Sequence, residues 1–163
     1  MTALCLYRNS VRSDWVDYNG HMRDAYYLLA FSLASDALIE RIGLDEAERQ
    51  RSQRSVYTLE VHLNYLRELK LGEPLRVEAQ LLGHDSKRLH VYFSLYRGDD
   101  AEPAAVSEQM LMHIDTGIAR GAAFSPAVLA QVQQLAASSA GPWPAYAGRV
   151  IALPGAARQG GAA

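Results

Sequence analysis

Residues 25–42, AYYLLAFSLASDALIERI, decide the fold. Over Tyr26 to Leu33 apolar side chains fall on almost every side of a helix, and the charges Asp36, Glu40 and Arg41 are held back to its last two turns. A helix with that pattern is buried, not laid on a surface. Gly43 follows it as a helix-ending residue. At 1.5 Å per residue the segment is about 27 Å long, enough to run across a whole sheet.

Outward from this helix the pattern changes. Residues 4–12 read as a short first strand, and 13–24 as a polar, turn-prone stretch containing Asn19-Gly20. Beyond a charged connection (45–54) the period becomes two. Tyr57, Leu59, Val61, Leu63 and Tyr65 alternate with Thr58, Glu60, His62 and Asn64, the signature of a half-buried strand. Leu75 to Leu81, Leu89 to Leu95 and Val106 to Ile114 repeat the alternation, separated by turn residues. One long strand and three antiparallel neighbours, a meander, are expected. A short helix over 126–136 and a Gly/Ala/Pro-rich tail complete the chain, giving a domain over 1–136 and a tail over 137–163 whose end is expected to be mobile. The class is α+β, with an antiparallel sheet curled around the buried helix. A single small sheet leaves long edges, so edge pairing with a second copy is expected.

Composition narrows the function. The chain has 163 residues, with 16 basic against 18 acidic side chains and a net charge of −2. That balance lacks the basic stripe of a nucleic-acid or membrane-surface protein. The single Cys5 supports neither a disulfide framework nor a cysteine metal site, and His21, His62, His84, His90 and His113 show no metal-ligand spacing. No metal or cofactor is expected. No apolar run approaches the ~18–20 residues of a membrane span, and the N-terminus lacks a signal-peptide layout, so a cytoplasmic protein is expected. Phosphate-loop, dinucleotide, nucleophile-elbow and zincin motifs are missing.

The unusual stretch precedes the helix: DWVDYNGHMRD, residues 14–24. It sets a carboxylate, a carboxamide and an imidazole at alternate positions, Asp17, Asn19 and His21, against a helix start whose first amides have no intrahelical partners. A carboxylate beside such amides is a minimal toolkit for attack on an acyl carbonyl. Asp17 and Asn19 also suit a plain turn, with His21 a partly buried hydrogen-bonder. Both readings stand on the sequence.

Asp17-x-Asn-Gly-His-Met22, the Tyr26-Tyr27 pair opening the helix, Tyr65-Leu-Arg67 and Leu71-Gly-Glu-Pro-Leu-Arg-Val77 resemble the hotdog-fold acyl-CoA thioesterases of the 4-hydroxybenzoyl-CoA thioesterase type. The Asp-x-Asn-x-His spacing is shared with plant acyl-carrier-protein thioesterases, and Thr58-Leu59-Glu60 looks like their distal acidic position. Trp15 to Met22, Tyr57 to His62, Lys87-Arg-Leu-His90, Ser107 to Met110 and His113-Ile-Asp-Thr116 are similar to the betainyl-CoA thioesterases of carnitine catabolism. The likeness covers residues 5–136. Two departures from the hydroxybenzoyl branch stand out: Tyr18, not proline, follows the carboxylate, and Asn19 and His21 have no polar counterparts there.

The resemblance implies a thioesterase on a small acyl-CoA, betainyl-CoA first, working as a homodimer or dimer of dimers with sites between subunits. Asp17 is the expected general base or nucleophile, Asn19 and His21 its positioning partners, and Glu60 a water-orienting carboxylate. Backbone N–H groups of Met22, Arg23 and Asp24 are expected to hold the thioester oxygen. Trp15, Tyr18, Tyr26, Tyr27, Tyr57 and Tyr65 are candidates for an aromatic box around a trimethylammonium head. Arg67, Lys87 and Arg88 are candidates for the CoA phosphates. The alternative of a different class is a non-catalytic acyl-CoA or acyl-carrier binding module; another short or aromatic acyl-CoA is the alternative substrate.

Overall fold

The computed structural model describes residues 4–153. The described elements run β1 (Leu4–Ser10), a 3-10 turn (Ser13–Trp15), α1 (Asp24–Arg41), α2 (Glu46–Ser52), β2 (Arg54–Tyr65), β3 (Pro74–His84), β4 (Arg88–Arg97), β5 (Ala105–Asp115), β6 (Arg120–Gly121) and α3 (Pro126–Ser138). They form one antiparallel sheet in the order β1-β3-β4-β5-β2, with β6 beside β5.

α1 lies across the inner face of that sheet. Its buried residues, Tyr27, Ala30, Phe31, Ala34, Ser35, Leu38 and Ile39, recur at steps of three and four and so share one face. Phe31 meets Phe93 of β4 with ring centroids 6.1 Å apart. Below α1 the cross-strand pairs Leu81↔Val91 and Val77↔Leu95 bring buried apolar side chains to the same side of the sheet. Fully burying each such side chain is worth about 1.5–3 kcal/mol. Gly43, at φ +91°, ends the helix in the left-handed region, its N–H donating to the Glu40 carbonyl.

Four expectations need correction. β3, β4 and β5 do form a meander, but β2 lies beside β5 and not beside β3, because residues 66–73 carry the chain across the end of the sheet. The alternation in β2 does not define one face. A bulge at Leu59 puts Tyr57 opposite Met112, while Val61, Leu63 and Tyr65 stand opposite Gln109, Ser107 and Ala105 on the inner side. One extra residue exchanges the faces of everything after it. α1 is not covered all round: Leu28 and Leu29 are 42% and 38% exposed, since the sheet covers one side only. The charged connection contains a helix, α2, opened by the Asp45 side chain accepting from the Glu48 N–H at 2.8 Å.

The chain after α3 folds back over the outer face of the sheet. Gln80 donates to the Pro142 carbonyl at 3.3 Å, and the Gly148 N–H donates to Glu108 at 2.6 Å. The other oxygen of Glu108 meets His90 Nε2 at 2.7 Å, and Trp143 stands edge-on to the His90 ring. The expected mobile end of the tail, residues 154–163, lies outside the described residues. Among the described residues no helix is long and apolar enough to cross a membrane.

Candidate active site

The stretch before α1 is a closed loop. Val16 and Met22 pair as an antiparallel bridge, the Asp17 N–H donates to the His21 carbonyl at 2.9 Å, and the Gly20 N–H returns to the Asp17 carbonyl at 3.0 Å. Gly20 sits at φ +78°, a conformation that penalises any side chain. One flank is tied to the segment after β2, with Met22 N–H to the Leu69 carbonyl at 2.7 Å and Leu71 N–H to the Gly20 carbonyl at 3.0 Å. The loop is therefore set by pairing with residues fifty positions away as much as by its own turn chemistry.

Inside it, Asp17 Oδ1 accepts from the Asn19 N–H at 2.8 Å and the His21 N–H at 3.1 Å. Oδ2 has no partner among the described residues. The His21 amide chiefly, then the Asn19 amide, holds the carboxyl below its ordinary value against partial desolvation. The turn-residue reading is met by Oδ1, which fixes the loop, while Oδ2 is left open among the described residues. The Asn19 side chain is exposed, and His21 Nε2 lies 3.5 Å from Glu68.

Of the three amides expected to hold an oxyanion, two are committed. Met22 donates to Leu69 and Arg23 to the Trp15 carbonyl at 2.9 Å. Only the Asp24 N–H, at the start of α1, makes no hydrogen bond among the described residues, as the first turn of a helix dictates.

The aromatic residues do not converge. Trp15 is buried and stacks on Tyr26 at 5.7 Å. Tyr27 is buried and meets Tyr65 edge-on at 5.3 Å. Tyr18 is 94% exposed, and Tyr57 lies at the far end of β2 from Tyr65. No six-membered box exists within one chain. The basic candidates divide in the same way. Arg88 follows the β3–β4 turn opposite Met112, as Tyr57 does, and it pairs with Asp85 at 2.6 Å; Lys87 precedes it. Arg67 follows the other end of β2. Glu60 is exposed in mid-strand and makes no hydrogen bond or ion pair to Asp17, Asn19 or His21.

What the chain does assemble is a small cleft of about 290 Å³ at the head of α1, lined by Met22, Asp24, Tyr27 and residues 65–68. Asp17 is not in its lining; it lies on the loop arm that leads to Met22. Two larger clefts, of about 900 Å³ and 790 Å³, hold none of the candidate catalytic, oxyanion, substrate-binding or CoA-binding residues; His113 lines the first. No cluster of three or more His, Cys, Asp or Glu side chains among the described residues is arranged to hold a metal.

Tyr27 has a role the sequence did not disclose. Its hydroxyl accepts from the buried Leu69 N–H at 2.9 Å and reaches the Arg67 carbonyl at 3.4 Å, so it clamps the cleft wall to α1. Burial pushes its pKa up, which keeps the hydroxyl protonated. Tyr27→Phe should leave the Leu69 N–H unpaired and cost about 1–3 kcal/mol in denaturant unfolding; an unchanged midpoint would remove the clamp. Glu68 was likewise missed, because nothing local ties it to His21.

The thioesterase-like superfamily model matches residues 11–132. A betainyl-CoA thioesterase from Pseudomonas aeruginosa PAO1 is 51% identical over 152 residues, 93% of this chain and 96% of that protein. An L-carnitine dehydrogenase/betainyl-CoA thioesterase from Agrobacterium fabrum C58 is 42% identical over 91% of this chain, which spans 30% of that longer protein. A Staphylococcus aureus protein solved in complex with CoA superposes with a TM-score of 0.87 at 31% identity, covering 94% of this chain and 98% of the other. The strand–helix–sheet order, the loop before α1 and these relatives agree: the chain belongs to the thioesterase-like superfamily and has its hotdog fold.

Proposed function

We propose that this thioesterase hydrolyses betainyl-CoA to glycine betaine and free CoA, in the cytoplasm, as a step of carnitine degradation. The observation that carries the chemistry is the half-free carboxylate of Asp17, held anionic by two loop amides a few residues before the open N–H of Asp24. In the general-base route Asp17 Oδ2 takes a proton from water as the water oxygen bonds to the acyl carbon. The C–S bond then breaks, and the thiolate leaves to be protonated. In the nucleophilic route the same oxygen bonds to the acyl carbon and expels the thiolate, which is protonated, and water then opens the resulting anhydride to release the acid and restore the carboxylate. The Asp24 N–H and the positive end of α1 face the developing oxyanion in either route.

A homodimer completes the reading. β2 is a free edge, and Leu59 and Val61 on it are 52% and 38% exposed. Pairing two β2 strands antiparallel about a twofold axis near their middle sets the Tyr57, Lys87 and Arg88 end of one subunit beside the partner's Tyr65 and Arg67 end. It also brings Glu60 nearer the partner's loop. The groups that one chain separates are thereby gathered, which supports sites shared between subunits.

A panel of acyl-CoA esters, betainyl-CoA among them, read by free-thiol release tests this. Multiple turnover on betainyl-CoA is expected. CoA-ester binding without thiol release would instead support a binding module. The pH profile adds a sign. Asp17 acts as the anion and its folded-state pKa lies below the ordinary 3.8, so kcat/KM should fall only as pH drops below about 4. An acid limb centred near pH 6 would assign the base to an imidazole.

A further inference from the structure

We infer that the cleft at the head of α1 selects its acyl group by positive charge, with Glu68 and Asp24 as counter-charges and Tyr27 and Tyr65 as aromatic walls. The inference rests on the thioesterase reading above and names what that site prefers. A quaternary ammonium donates no hydrogen bond, so only opposite charge and aromatic faces can recognise it. The cleft offers both. The rings of Tyr65, half exposed, and Tyr27, nearly buried, meet at 89° to form a corner, and the Tyr65 hydroxyl donates to the Asp24 carbonyl at 3.1 Å, which fixes that corner to α1. The lining holds two carboxylates, Asp24 and Glu68, against one guanidinium, Arg67.

Glu68 is the more informative of the two. Its side chain is 73% exposed at the mouth of the cleft, and its Oε2 lies 3.5 Å from His21 Nε2, on the loop that Asp17 closes. It therefore lines the cleft and touches the loop that carries Asp17, and an acyl head seated at the aromatic corner would feel its field. Asp24 is partly engaged, since its Oδ1 accepts from the Ala25 N–H at 2.8 Å. Removing Glu68 leaves the helix start intact.

The test compares kcat/KM for betainyl-CoA with that for 3,3-dimethylbutyryl-CoA, which has the same shape without the charge. Their ratio cancels any effect on CoA binding or on overall activity. Glu68→Gln should lower the ratio about fivefold, the scale of one solvent-exposed charge contact. Glu68→Lys changes the charge by two and should lower it about 25-fold. In the wild type the ratio should also shrink as ionic strength rises from about 0.02 to 0.5 M. A ratio that Glu68→Lys leaves unchanged while the wild type cleaves both esters would overturn charge selection alone. No thiol released from either ester by the wild type would overturn the thioesterase reading, and this inference with it.

Discussion

Asp17→Asn is expected to lower kcat for thioester hydrolysis by at least ~100-fold, the scale of a lost general base. The substitution is chosen for what it keeps. Asparagine has the same shape, and its amide oxygen can still accept from the Asn19 and His21 N–H groups that Oδ1 serves now. The loop that positions the side chain should survive, with an unfolding midpoint close to the wild type. What is lost is the negative charge on the second oxygen and with it both proton abstraction and nucleophilic attack. Asp17→Ala is a poorer test, since it also strips the two loop amides of their acceptor, at about 1 kcal/mol each. Thiol release under saturating substrate measures the effect. Activity within threefold of wild type for the asparagine variant would return Asp17 to a turn residue.

Leu59→Asp combined with Val61→Asp is expected to lower activity by a different route. On the free edge strand Leu59 is 52% exposed and Val61, though on the inner side, 38% exposed, so the single chain is expected to keep its fold. A dimer built on that edge would have to desolvate four carboxylates around its twofold axis, each costing several kcal/mol unless paired. The variant should run as a monomer by light scattering where the wild type runs as a dimer. It should retain wild-type circular dichroism and lose at least ~100-fold in kcat/KM, the worth of groups no longer held in position. The Asp17 carboxylate is untouched in this variant, so such a loss would report the need for residues from two subunits. A wild type that is monomeric and fully active at assay concentration would contradict it.

How much of this is legible in the sequence depends on whether the cause is local. The turn at Asp17–Asn19–Gly20, the helix over 25–42 and the strands from Leu75 to Ile114 are written in neighbouring residues, and the structure has them. α2 was missed, although its Asp45-Glu-Ala-Glu48 capping pattern is equally local. The bulge at Leu59 was not. Val61, Leu63 and Tyr65 keep an unbroken alternation on paper, and only the pairing with β5 shows the exchanged face. The position of β2 beside β5 is a long-range choice that period-two patterning cannot express.

The same limit applies to the candidate site. Six aromatics between Trp15 and Tyr65 suggested a box, yet only Tyr27 and Tyr65, nearly forty residues apart, meet at the cleft. Met22 and Arg23 looked like free amides because a helix start follows. Their carbonyl partners, Leu69 and Trp15, are fixed by the loop's tertiary pairing. Glu68 became visible only beside His21.

The most direct measurement is a crystal structure with the ketone analogue of betainyl-CoA, in which a methylene replaces the thioester sulfur. Asp17 Oδ2 is expected within about 3.5 Å of the carbonyl carbon, or of a water at that distance from it, with the trimethylammonium group at the Tyr27–Tyr65 corner. A carbonyl lodged in either of the larger clefts, out of reach of Asp17 from both subunits, would contradict it.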